Sequence, residues 1–110
     1  MRALMVFAAI VLAGMAALPG SARAADDKAA EKLLKDNDCT KCHTVAREKE
    51  GPAYKKVAEK YKGKADAAQK LTVHMTSEPT VKVDGKEEKH KMIKGSDADV
   101  KNLVEWILSR

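Results

Sequence analysis

Aromatic side chains are scarce in this 110-residue sequence, which has one Trp, two Tyr and one Phe. Proteins that bind nucleic acids usually combine aromatic platforms with a strong, clustered basic patch. Because the aromatics are few and the basic excess is mild, we exclude nucleic acid as a partner. Large apolar residues are also few, and a chain this short buries only a modest fraction of its surface. We therefore expect something other than side chains to help fill the core.

Long apolar runs are confined to the first 24 residues. Arg2 precedes an apolar stretch from Ala3 to Leu18, and Ala22-Arg23-Ala24 is typical of a cleavage site. The stretch has about 16 residues, fewer than the roughly 20 of a spanning helix. Residues 1–24 are therefore predicted to be a signal peptide cleaved after Ala24, of the kind that directs export to a Gram-negative periplasm. The mature domain, residues 25–110, would have no stable membrane anchor, and its 19 Lys and Arg would face 16 acidic residues.

Cysteine is limited to Cys39 and Cys42, which with His43 form a Cys-x-x-Cys-His motif. In an exported chain this spacing has three candidate uses: a redox disulfide, half of a metal site, or thioether attachment of haem. A thioredoxin-like site needs a βαβ scaffold, which this Lys- and Ala-rich sequence lacks. A structural zinc site needs four ligands, and only His74 and His90 remain to complete one. Histidine directly after the second cysteine favours one covalent haem c, attached by the cysteines and ligated by His43.

The rest of the mature chain predicts an all-α domain of about four short helices around the haem. Asp66 is predicted to cap the third helix, and Asp84-Gly85 indicates an extended loop or small hairpin within Thr80 to Lys91. The helices are predicted at Asp26 to Asp38, Ala53 to Tyr61, Ala67 to Met75, and Ser96 to the terminus.

The last helix has the clearest pattern. Ser96, followed three residues later by Asp99, is typical of a helix start. The helix carries an apolar stripe that needs a partner, and the apolar face of the first helix is the obvious candidate. We therefore expect the N- and C-terminal helices to pack together. The stripe is Val100, Leu103, Val104, Ile107 and Leu108, and the facing residues are Ala30, Leu33 and Leu34.

In these features the chain resembles the small class I c-type cytochromes of bacteria. The similarity lies in the haem motif, in Gly51-Pro52-Ala53-Tyr54 and in the closing helix with Trp106. It implies the cytochrome c fold and a single haem site to which Trp106 contributes. It also implies that the Pro52 carbonyl holds the imidazole N–H of His43, which would fix the tautomer of that ligand. Pro52 is also compatible with a simple role at the start of a helix.

The second iron ligand is where this sequence departs from the family. The usual ligand is a methionine followed by proline, six residues before the Ser-Asp helix start and sixteen before the tryptophan. Neither Met75 nor Met92 precedes a proline, whereas His90 lies six residues before Ser96 and sixteen before Trp106. His90 is therefore the predicted distal ligand, giving bis-histidine haem.

Other distal arrangements stay open. Met92 misses the expected register by two residues, which a loop can absorb, so it is the alternative ligand. Without that role it is a candidate apolar plug beside Ile93. A five-coordinate iron and ligation by His74 complete the possibilities, with His74 more readily explained as a surface histidine and Met75 as a core residue.

These features together predict an electron carrier and not an enzyme. An iron with two protein ligands has no open position for substrate, and exchanging Met for His should lower the potential. A labile distal ligand would instead suit a gas sensor or minor peroxidase, and an assembly subunit of a larger cytochrome complex is a third possibility. Its partners would be redox proteins with acidic docking surfaces, and the carrier itself would be a monomer or a weak dimer. The lysines that could steer them are Lys55, Lys56, Lys60, Lys62, Lys64, Lys86, Lys89, Lys91 and Lys94.

Overall fold

Four α-helices account for most of the domain. The computed structural model describes residues 24–110. The elements are α1 (Asp27–Asp36), a short 3₁₀ turn (Cys39–Lys41), α2 (Tyr54–Tyr61), α3 (Ala67–Thr76), β1 (Thr80–Val83), β2 (Lys86–Lys89) and α4 (Asp97–Leu108). The predicted helical architecture is confirmed, and the small hairpin proves to be the right choice for the segment before α4.

The predicted signal peptide, residues 1–24, lies outside the described residues apart from Ala24. Within residues 24–110, none of the helices has the length and apolar character required to cross a bilayer.

Local side-chain bonds explain where the first and last helices begin. Asp26 accepts a hydrogen bond from the Ala29 N–H at 3.0 Å, and Ser96 accepts one from the Asp99 N–H at 3.1 Å. Both bonds satisfy backbone donors that have no partner within the helix. Helix α1 ends at Asp36, two residues earlier than predicted, because Asp38 has a left-handed φ of 56° and turns the chain into the 3₁₀ segment.

The predicted capping role of Asp66 at α3 is wrong. Its side chain makes no capping bond, and its carboxylate instead lies 3.1 Å from the Lys70 Nζ one turn along the helix. The helix still begins at Ala67, as predicted. Burial of Ala67 and Leu71 against the core explains why this start does not need a cap.

Helix α4 is the centre of the hydrophobic core. It contacts each of the other three helices, and its Leu103 and Val104 are almost completely buried. The predicted packing of the first and last helices is confirmed, because α1 and α4 are in contact along the faces that the sequence indicated. The two ends of the described chain are thereby brought together, and Arg110 pairs with Asp27 at 3.4 Å.

The hairpin stands off from this core. Asp84 and Gly85, with φ values of 50° and 78°, form the two-residue turn, and both conformations are left-handed, as type I′ turns require. Every residue of β2 is exposed. At the open end, the His90 N–H donates to the Pro79 carbonyl at 2.8 Å, so the strand pairing extends to His90, whose ring lies near His74 of α3.

The first prediction concerns the centre of the core. We expect Leu103→Ala to lower the free energy of unfolding by about 2–5 kcal/mol, because it leaves a cavity at a residue with no exposed surface. Val73→Ala, on the exposed face of α3, should change it by less than about 0.5 kcal/mol. Denaturant titrations of both variants make the comparison, and equal losses would contradict a core centred on α4.

Candidate functional site

The two cysteines and His43 lie on one tight turn. Cys39 and Cys42 are half-buried and form no disulfide with each other. The Lys41 and Cys42 N–H groups donate to the Asp38 and Cys39 carbonyls, both at 3.2 Å, which makes the 3₁₀ turn, and the His43 N–H donates to the Cys39 carbonyl at 3.0 Å. The Cys42 thiol also donates to a Glu50 carboxylate oxygen at 3.2 Å. That hydrogen bond, followed by burial, raises the pKa of Cys42, whereas burial is the main cause that raises the pKa of Cys39.

The imidazole of His43 is fixed by the segment that follows it. Its Nδ1 lies 2.8 Å from the Pro52 carbonyl oxygen, the contact that the resemblance implied. A carbonyl can only accept, so Nδ1 carries the proton and Nε2 keeps a free lone pair. Tyr54 stacks on the same ring, with 5.2 Å between ring centres and 21° between planes.

Gly51 is a functional residue that the sequence analysis missed. A Cβ at this position would overlap the His43 ring, lying 2.7 Å from Nδ1 and 2.9 Å from Nε2. Real side chains do not tolerate such distances, so only glycine lets the backbone lie flat against the imidazole. The available signal was the glycine directly before Pro52, which on its own also suits an ordinary turn.

His90 comes close to His43. Their ring centres are 6.2 Å apart, with 49° between the planes. The Nδ1 of His90 lies 2.9 Å from the Lys91 carbonyl, so this ring too is protonated at Nδ1 and has its Nε2 lone pair free. Burial lowers the pKa of His90, which favours the neutral imidazole that binds metals.

The other candidate distal residues have different surroundings. Met92 is 41% exposed, whereas its neighbour Ile93 is buried, so the suggestion that Met92 plugs the core is wrong and Ile93 does so instead. Met75 is buried in the core, as expected. His74 is exposed on α3, with its ring centre 4.6 Å from that of His90.

Trp106 lies in the wall of a groove beside His43. The groove is also lined by Tyr54, whose ring meets the indole edge to face at 5.6 Å. The indole Nε1 is buried and has no hydrogen-bond partner among residues 24–110. Leaving a buried donor unpaired is unfavourable, and a polar group of a bound cofactor would supply the missing acceptor. The orphaned donor, the two thiols and the imidazole with a free Nε2 together fit a haem c.

The nine lysines noted in the sequence are all exposed, in and after α2 and in the hairpin and the segment that follows it. Of those nine, only Lys56 and Lys91 make ion pairs within the described part of the chain, with Glu59 at 3.5 Å and Asp38 at 3.1 Å.

Comparisons with known proteins agree with this geometry. The family model for cytochrome c matches residues 28–110. Cytochrome c-552 of Nitrosomonas europaea is 39% identical over 70% of this chain and 74% of its own length. Cytochrome c-551 of Allochromatium vinosum is 41% identical, over 69% of this chain and 80% of its own.

The fold agrees as well. The crystal structure of the class 1 cytochrome MtoD from Sideroxydans lithotrophicus ES-1 superimposes with a TM-score of 0.76 at 57% identity, covering 78% of this chain and 97% of that one. Wild-type Nitrosomonas europaea cytochrome c552 superimposes with a TM-score of 0.57 at 35% identity, covering 72% and 96%. Cytochromes c are electron-transfer haem proteins with covalent haem c, and by these matches the chain belongs to the cytochrome c family as a small class I monohaem c-type cytochrome.

Proposed function

We propose that this protein is a periplasmic single-electron carrier with bis-histidine haem, in which Cys39 and Cys42 attach the haem and His43 and His90 ligate its iron. The observation that carries the proposal is the pair of imidazoles. Each has its Nδ1 directed at a backbone carbonyl, which leaves both Nε2 lone pairs free, and the ring centres are 6.2 Å apart. Two histidine nitrogens that share one metal ion at about 2 Å each have ring centres about 6 Å apart.

When bound, the haem supplies a one-electron couple at iron. The chain contributes the surroundings of that couple. Pro52 accepts the His43 N–H and orients the proximal imidazole, Gly51 and Tyr54 confine its ring, and the orphaned Trp106 N–H is available to a polar edge of the cofactor. Two protein ligands would leave the iron no open position for a substrate, so the proposed role is outer-sphere electron transfer and not catalysis of bond chemistry.

The same ligand pair bears on the redox potential. Methionine as an axial ligand raises the potential of a c-type haem, and replacing it by imidazole lowers it. The exposure of Met92 and the proximity of His90 to His43 favour the imidazole. The proposal therefore includes a carrier of lower potential than its methionine-ligated relatives.

Export is the remaining part of the proposal. Residues 1–24 have the charged start, apolar stretch and small-residue end of a signal peptide, and removing them would leave residues 25–110 as the haem domain. The haem, attached through thioether bonds after export, would then fill the part of the hydrophobic core that the few large apolar side chains of this domain leave open.

The distal ligand is tested by variants at the two candidate positions. The purified ferric wild type should be low-spin and lack the weak far-red band of an iron–methionine bond. His90→Ala should make the iron high-spin or open to added imidazole, because the second ligand is removed. Met92→Leu, the matched control two residues away, should leave the spectrum unchanged. A far-red band that disappears in Met92→Leu would transfer the ligand assignment to methionine.

The proximal side is tested at Gly51. Gly51→Ala should push the His43 ring away from Pro52 and reduce the yield of low-spin holoprotein, because the new Cβ overlaps the imidazole. Gly63→Ala is the control. Its φ of +75° makes alanine strained there, but the added Cβ would have no atom within 4 Å beyond the two neighbouring residues, so His43 is untouched. The absorption spectra of both variants, recorded with their unfolding curves, separate the two effects. A normal low-spin spectrum for Gly51→Ala would contradict this role.

The proposed partners are redox proteins with acidic docking surfaces. We expect Lys89→Glu, beside His90 on the hairpin, to slow electron transfer to an acidic partner about threefold or more at low salt, because steering depends on local charge. Lys101→Glu makes the same change in net charge on the exposed side of α4 and should have a smaller effect. Stopped-flow rates at several ionic strengths provide the measurement, and equal slowing by both substitutions would mean that only net charge matters.

A further inference from the structure

Asn37 is buried although its side chain is polar. Its exposed fraction is 3%, and no other polar or charged residue among residues 24–110 is buried. The side-chain amide donates to the Leu33 carbonyl at 3.0 Å and to the Lys94 carbonyl at 3.1 Å, and its oxygen accepts from the Lys94 N–H at 2.8 Å. Both amide hydrogens and the oxygen are thus used, as burial of a polar group requires.

These bonds connect the two halves of the haem site. Asn37 lies two residues before Cys39, and Lys94 lies four residues after His90. The amide pairs with both backbone groups of Lys94, so a single side chain ties the segment that attaches the haem to a segment 57 residues away in sequence. We refer to residues 90–95 as the distal loop.

The same end of the distal loop packs against the core. Ile93 is buried, and its N–H donates to the Met75 carbonyl at 2.8 Å. Two residues further on, a Cβ on Gly95 would be only 3.0 Å from Leu33 Cδ1, so the loop backbone lies directly on α1. By contrast, Lys91 and Met92, between these contacts and His90, are exposed.

One other contact joins the same two segments. The Lys91 ammonium lies 3.1 Å from an Asp38 carboxylate oxygen, but both side chains are more than half exposed. Water and salt screen such a pair, and it constrains the loop weakly. The Asn37 amide is itself buried, so its bonds to Lys94 are less screened. Removing the amide would leave both the N–H and the carbonyl of Lys94 without their hydrogen bonds to the end of α1.

We propose that Asn37 is a positioning residue that holds the distal loop against the haem-attachment segment and so keeps the distal ligand on the iron. The inference rests on the proposed haem ligation by the distal loop. It makes Asn37 the side chain that closes the iron to outside ligands, although it does not itself touch the iron.

The test compares two asparagines that make the same kind of contact. Asn37→Leu preserves volume but removes the bonds to Lys94, and Asn37→Ala checks the result with a smaller side chain. Asn102 supplies the control, because its amide also pairs reciprocally with one residue, accepting from the Asp26 N–H at 2.8 Å and donating to the Asp26 carbonyl at 3.0 Å. Asn102→Ala therefore breaks a reciprocal pair of the same geometry, in a more exposed place, at the start of α1 and away from the distal loop.

Carbon monoxide binding to the reduced holoprotein is the first measurement. We expect its affinity to rise about tenfold or more in both Asn37 variants, the factor that corresponds to one lost buried hydrogen-bonded pair. Asn102→Ala should stay within about twofold of the wild type. Hydrogen exchange at the Lys94 amide of the holoprotein should become faster in Asn37→Leu and remain unchanged in Asn102→Ala.

Unchanged carbon monoxide affinity in the Asn37 variants would overturn the proposal, as would an equal rise in Asn102→Ala, since general loosening would then explain the effect. Failure of the ligand assignment is a separate result. If the wild-type spectrum shows iron bonded to methionine, His90 is excluded as ligand, yet Met92 belongs to the same loop and the Asn37 comparison keeps its meaning. A wild type that binds carbon monoxide at once has no closed distal bond, and this outcome would also overturn the role of Asn37.

Discussion

The hydrogen bond between His43 Nδ1 and the Pro52 carbonyl is the constraint on which the site depends. It selects the tautomer of His43 that is protonated at Nδ1, and this leaves the lone pair of Nε2 free on the opposite side of the ring. It also fixes the orientation of the ring relative to the Gly51–Pro52 backbone. Gly51 and Tyr54 then confine the His43 ring. The Gly51 backbone is so close to the ring that a Cβ would overlap it, and the Tyr54 ring stacks on it. Helix α2 begins directly after this contact, so the proximal ligand and the core are built from one continuous segment.

The helices follow from local pattern wherever that pattern is strong. Ser96 and the apolar stripe after it predicted α4 closely, because a capping side chain and a buried face act within the same few residues. Asp66 shows the limit of this reasoning. A carboxylate at a helix start can cap the backbone or pair with a lysine one turn on, and here Lys70 takes it. The left-handed Asp38 that ends α1 also had no sequence signal, since asparagine and glycine are the usual residues there.

The site was less predictable than the fold, for a physical reason. The Cys-x-x-Cys-His motif is local, so its residues and the Pro52 contact could be named from the sequence and the family resemblance. His90 could be named only by counting residues back from α4. Such a count gives its position along the chain but not how close its ring comes to His43. Gly51 and Asn37 matter through contacts with atoms of the folded chain: a ring lying flat on one, and a loop 57 residues away bound to the other. No single-residue pattern distinguishes such an asparagine from the many that lie at ordinary turns.

The two sides of the site are held by different means. On the proximal side, the ligand, its hydrogen-bond acceptor and the glycine beneath it fall within ten residues, so their geometry forms with the local chain. On the distal side, the hairpin is exposed and contributes little burial, so it cannot by itself fix His90. The position of that side depends on long-range contacts of residues 93–95 with α1 and α3. In the proposed arrangement, the strength of the distal bond depends on how the loop is attached to the core as well as on the identity of the ligand.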